Sequence, residues 1–126
     1  MQGLSLNLDR VLAEPQLYFN PACSKCRTAD SLLKERGIDA TMVRYLDRAP
    51  TVEELHVLMA RLGIHDPREM MRPGEPAYSE LGLAEAPAER LLEAITEHPV
   101  LLERPIFVQG ERAVIARPPE RLLELL

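Results

Sequence analysis

The chain has no tryptophan, only three tyrosines and two phenylalanines, and only two cysteines. Two cysteines cannot build a multi-disulfide scaffold, and 126 residues bury a core without one. No apolar run approaches the roughly 20 residues that cross a bilayer, and no basic stretch followed by an apolar leader is visible, so a cytoplasmic protein with reduced thiols is expected. An excess of positive charge is missing too: the formal net charge is -5. That speaks against a field steering the whole molecule onto nucleic acid or an anionic membrane, and any anion site must be local. Lysine is confined to Lys25 and Lys34 among 15 basic residues. Arginine is therefore the default cation, and only several arginines converging on one place would carry information.

What is present reads as an ordinary globular composition, 46% hydrophobic and 28% charged. Residues 1–15, ending at a proline, read as a tail or short extra helix outside the main domain, which is expected to span 16–126. "QLYFN" (16–20) is an apolar run closed by Asn-Pro, as for a buried strand entering a turn. From Ser24 to Arg36, Ala29, Leu32 and Leu33 fall at helical spacing, and Gly37 stands where a left-handed cap would. "TMVRYL" (41–46) predicts a second, parallel strand, giving a β-α-β unit with a right-handed crossover. Thr51 and Glu54 form a capping box ahead of a helix with Val52, Leu55, Leu58, Met59 and Leu62 on one face.

Residues 66–85 hold three prolines and two glycines, which predicts short helical turns; "PAERLLEAITEHP" predicts a helix between Pro87 and Pro99. "RPIFV" and "RAVIAR", joined by "QGE", predict a hairpin, and "PPERLLELL" a closing helix. The fold class is therefore α/β: a thioredoxin/glutaredoxin-like mixed four-stranded sheet, with a helical insertion between its βαβ and ββα halves.

The cysteines lie in "NPACSKCR" (20–27), at the strand-to-helix junction. A structural zinc site needs four ligands, and His56, His65 and His98 lack ligand spacing, so no metal is expected. A disulfide closing so short a loop would constrain the unfolded chain little. Two inert buried thiols remain the bland alternative. The reactive reading has a mechanism: a cysteine at a helix start faces unpaired N–H groups and the positive end of the dipole, which favour thiolate. Cys23 is the expected nucleophile, with Lys25 and Arg27 adding charge and Pro21 stiffening the approach. Cys26, one turn further, is the candidate resolver.

"NPACSKCR", "MMRPGEPAYSELGLAE", "HPVLLERPIFV" and "ARPPERLLELL" resemble, in order and spacing, the glutaredoxin-linked arsenate reductases of the ArsC/YfgD type, over about Gln16 to Leu126. The resemblance implies a thioredoxin-like fold in which Cys23 attacks arsenate or a similar oxyanion. It places Arg27 at the end of the cysteine turn, assigns Arg72, Arg104 and Arg117 to the oxyanion site, and makes Pro105 a cis proline beside the thiol. It implies glutathione as co-substrate, glutaredoxin or thioredoxin as reductant, no bound prosthetic group, and a monomer. Guanidinium forks suit the chemistry, because they hold an anion beside a thiolate and lower the thiol pKa.

Two positions depart from the family's pattern. Phe19 stands where an activating histidine is expected, and Cys26 replaces a common serine, which opens an internal Cys23–Cys26 disulfide. Two alternatives use the same pair: a redox regulator of the Spx type that binds RNA polymerase, and a general thiol-disulfide oxidoreductase. His98 reads as a helix-end cap, Tyr78 as packing under the insertion, and Met59, Met70 and Met71 as core filling.

Overall fold

The computed structural model describes residues 14–126, so the tail reading of residues 1–15 falls almost wholly outside the described residues. The chain forms two compact units, one ending at Val43 and resuming over Arg104–Leu126, the other Arg44–Glu103.

The first unit carries the sheet. Strand β1 (Gln16–Tyr18), helix α1 (Ser24–Glu35) and strand β2 (Thr41–Val43) form the β-α-β element; β3 (Ile106–Gln109) and β4 (Arg112–Ile115) form the hairpin. The strand order is β2-β1-β3-β4. β1 pairs with β2 in parallel, Leu17 opposite Met42, and with β3 antiparallel, Leu17 opposite Phe107. β3 and β4 are antiparallel, and Gly110, at φ 63, supplies the left-handed residue of their tight turn.

Apolar side chains decide this arrangement. Leu17, Ala29, Leu33, Phe107, Val114, Ala116 and Leu122 form one buried cluster, drawing from β1, α1, the hairpin and the closing segment. Alternation in the strands and helical spacing in α1 put these residues on the inner faces. α1 ends as its sequence predicts: Gly37 takes φ 71, and the Gly37 and Ile38 N–H groups donate to the Lys34 and Leu33 carbonyls. Glu14 and Pro15, assigned to the tail, hold on to the sheet edge, since the Thr41 N–H donates to the Pro15 carbonyl (2.9 Å) and its hydroxyl to Glu14 (2.9 Å).

Two elements differ from expectation. β2 stops at Val43 because the Arg44 carbonyl accepts from the Asp47 and Arg48 N–H groups (3.0 and 3.1 Å), closing a turn where a longer strand was predicted. The closing segment Pro119–Leu125 is a 3₁₀ helix, not an α-helix. Pro118 and Pro119 remove two donors at its entry, the Arg121 N–H bonds back to the Pro118 carbonyl (3.0 Å), and so few residues are marginal for an α-helix.

The second unit is helical: α2 (Val52–Leu62), α3 (Pro76–Glu80) and α4 (Ala88–Glu97), with 3₁₀ turns at Pro67–Met70, Leu83–Glu85 and Pro99–Leu101. The predicted capping box is present, with the Thr51 hydroxyl accepting from the Glu54 N–H and the Glu54 carboxylate from the Thr51 N–H (3.1 and 2.9 Å); Gly63 ends α2 at φ 71. Arg68 straps the insertion, donating from Nη2 to the Leu83 and Ala86 carbonyls (2.9 and 2.6 Å). His98 caps the C-terminal end of α4 through its backbone N–H on the Ala94 carbonyl (2.7 Å). Met70 and Met71 are buried, Met59 and Tyr78 half-buried.

Candidate active site

The site grows from the turn between β1 and α1. Asn20 opens it: its side-chain oxygen accepts from the Ala22 N–H (3.0 Å) and its carbonyl from the Cys23 N–H (2.9 Å). Aspartate and asparagine favour such turns because the side chain imitates a backbone acceptor. Cys23 therefore arrives at the N-cap of α1 in an extended conformation (φ -93, ψ 120). No side-chain hydrogen bond closes the helix start, and the N–H groups of Lys25 and Cys26 face the Cys23 sulfur instead.

The two cysteines have opposite environments. Cys23 is partly exposed and Cys26 fully buried; both are free thiols. Burial is the largest single influence on Cys23 and pushes its pKa up, yet hydrogen bonds from the Cys26 N–H and thiol, the Arg104 guanidinium and the Lys25 N–H together outweigh it, lowering the value from 9.0 to about 7. Cys26 goes the other way, from 9.0 to about 11, because of its burial and because its proton is held against the Cys23 sulfur; an N–H from Asn20 opposes this only in part. Near neutrality Cys23 is thus substantially ionised while Cys26 keeps its proton, so the two thiols are chemically distinct.

The arginines divide. Arg104 reaches the Cys23 sulfur from two residues before β3, and its peptide bond to Pro105 is cis. Arg117 donates from Nη1 to the Arg104 carbonyl (2.9 Å), and the Arg117–Pro118 peptide is also cis. Arg27 turns back over the loop, donating from Nη1 to the Pro21 carbonyl (2.8 Å). These five residues, Cys23, Cys26, Arg27, Arg104 and Arg117, with Pro105, all belong to the first unit. Arg72 belongs to the second, where it pairs with Glu103 (2.7 Å) and Glu75 (3.4 Å).

Phe19, at the position of the expected histidine, packs against the apolar cluster, and its N–H extends the ladder to the Val43 carbonyl (3.0 Å). The hydrogen bonds that favour a thiolate at Cys23 come from Cys26, Arg104 and the Lys25 N–H. Asn20 is the site residue that spacing alone did not single out; an asparagine before proline at a strand end is the signal that marks it. His56 pairs with Glu89 (3.0 Å), and among the described residues no group of three or more His, Cys, Asp or Glu is placed to hold a metal ion. No helix among the described residues is long and apolar enough to cross a membrane.

Known proteins share both sequence and shape with this chain. It is 44% identical over 117 residues to the arsenate reductase of Neisseria meningitidis serogroup A, covering 91% of this chain and 100% of that protein. It is 42% identical over 113 residues to the Escherichia coli K12 protein YfgD, covering 88% and 95%. The solved structure of an arsenate reductase from Vibrio cholerae superposes with a TM-score of 0.87 at 42% identity, covering 90% of this chain and 98% of that one. The mixed sheet, in its β2-β1-β3-β4 order, is thioredoxin-like. Residues 18–125 match the ArsC family, and the chain belongs to it.

Proposed function

We propose that this protein is a thiol-dependent arsenate reductase in which Cys23 is the nucleophile. The observation that carries the reading is the partly exposed residue Cys23 at a helix N-cap, with the Arg104 guanidinium hydrogen-bonded to its sulfur. The arsenate reductase names of its relatives support the substrate class.

The thiolate attacks pentavalent arsenic, a sulfur–arsenic bond forms, and an oxygen leaves as water after taking up a proton. Two negative species must meet in this step. Arg104, Arg117 and Arg27 would hold the oxyanion, offset that repulsion, and meet the charge that builds on the arsenic oxygens; removing one such donor costs on the order of 10²–10³ in rate. Arg104 does so while already favouring the thiolate. A second thiol, from glutathione or from Cys26, then attacks the Cys23 sulfur and leaves the electron pair on arsenic. Glutaredoxin or thioredoxin would return the protein to its reduced state, and no bound prosthetic group is needed. This assignment rests on residues of the first unit.

The test is NADPH consumption with arsenate, coupled through glutathione and glutaredoxin and, separately, through thioredoxin. Turnover with at least one system, abolished in Cys23→Ser, is expected. Absence of arsenate-dependent turnover with both would end the arsenate reading. It would leave the general thiol-disulfide oxidoreductase, which the buried thiol hydrogen-bonded to Cys23 also favours.

A further inference from the structure

We infer that the second thiol of the reaction is Cys26, so that the protein supplies both electrons itself, arsenite leaves as an internal Cys23–Cys26 disulfide forms, and the reductant it needs is a dithiol protein acting on that disulfide. The inference rests on the arsenate reading above and decides between the two thiols named there.

Proximity is the first argument. Cys23 and Cys26 occupy the N-cap and third position of one helix turn, side chains three apart share a face, and the Cys26 thiol already hydrogen-bonds to the Cys23 sulfur. A group held against its target reacts with an effective concentration that a free thiol in solution cannot match; oriented intramolecular reactions reach on the order of 10⁵ M or more.

Access is the second. Cys26 is wholly buried, so it is shielded from external reagents, and the thiol it meets is that of Cys23, the other cysteine of the chain. A buried thiol with no such neighbour would be inert packing.

Timing is the third. A thiolate on Cys23 holds the Cys26 proton in place by hydrogen bonding and by charge. Once Cys23 is bonded to arsenic, that charge is gone and the proton is released from its acceptor. Cys26 thus becomes more acidic at the moment its attack is required, although burial continues to oppose ionisation.

The step balances. Cys26 gives up its proton, which passes to an arsenic oxygen, and its sulfur attacks the Cys23 sulfur. The S–S bond forms, the S–As bond breaks, and its electron pair stays on arsenic, reducing As(V) to As(III) while the two sulfurs are oxidised to the disulfide. Cys23 is the more exposed residue of the pair, so an incoming dithiol attacks its sulfur and displaces Cys26.

The experiment is a single turnover. Fully reduced protein, freed of all small thiols under nitrogen, is mixed with arsenate; arsenite is quantified and the intact mass recorded. The expected result is arsenite equimolar with protein and loss of both thiol hydrogens. In Cys26→Ser and Cys26→Ala, thiol-free arsenite release is lost and returns only when glutathione is added. Wild type that releases arsenite with glutathione but none without it overturns the inference and leaves the arsenate reading intact. Wild type that releases none under either condition overturns both. Because the wild-type arm decides by itself, a variant that fails to fold does not weaken the test.

Discussion

The Arg104 guanidinium is hydrogen-bonded to the sulfur of Cys23, joining the segment that leads into β3 to the turn that follows β1. The link lowers the thiol pKa to about 7 against the desolvation that raises it. Alkylation of Cys23 by iodoacetamide should therefore rise with a midpoint near pH 7. In Arg104→Ala the midpoint should move toward the ordinary 9.0, with Cys26 silent in both proteins. A wild-type midpoint near 9 would refute the assigned hydrogen bonding.

The two thiols also set opposite pH trends in stability. The folded-state pKa of Cys23 is depressed, so its contribution is present above the unfolded value of 9.0 and is lost as pH falls through about 7. Cys26 is raised to about 11, so its contribution is fully present below 9.0 and is lost as pH rises through about 11. Urea midpoints of the reduced protein should show both limbs, the rising one absent in Cys23→Ser and the falling one absent in Cys26→Ala.

The helical unit offers a backbone test. Gly63, at φ 71 and with open space around it, should lose roughly 1–2 kcal/mol on substitution by alanine through left-handed strain alone. Gly74 is just as open but does not take a positive φ, so Gly74→Ala should be neutral or slightly stabilising. Thr51→Ala should cost about 1 kcal/mol by removing the cap. Thermal melts that ranked Gly74→Ala below Gly63→Ala would contradict this.

Leu17 lies at the centre of β1, with sheet partners on both sides and no exposure. Leu17→Ala should destabilise by about 2–5 kcal/mol, a loss measurable in urea at unchanged pH. A change below 1 kcal/mol would mean that the cluster around it collapses to fill the space, as some cores do.

Much of the architecture was legible because it is carried by local signals. The capping box at Thr51, the left-handed glycines at 37 and 63 and the "QGE" turn each fix a boundary through one or two residues. The length of β2 was not legible: "TMVRYL" alternates throughout, and nothing local reveals that the Arg44 carbonyl closes a turn. The closing segment misled in a similar way, since its leucine pattern fits an α-helix while its two prolines and short length favour the tighter winding. At the site, the helix-start position already told Cys23 from Cys26, but the burial that holds the proton on Cys26 and the contact of Arg104 with the Cys23 sulfur are concealed by sequence separation. The pairing of Arg117 with the Arg104 carbonyl is likewise invisible before the hairpin is folded.

The strand order β2-β1-β3-β4 has a consequence for the nascent chain. Turn and helix carrying Cys23 leave the ribosome long before Arg104 does, and β1 gains its second neighbour only when β3 inserts beside it. Until then Cys23 lacks the guanidinium that favours its ionised form. The acidic thiol is thus a property of the completed sheet, and synthesis passes through its early stages with a cysteine closer to ordinary reactivity.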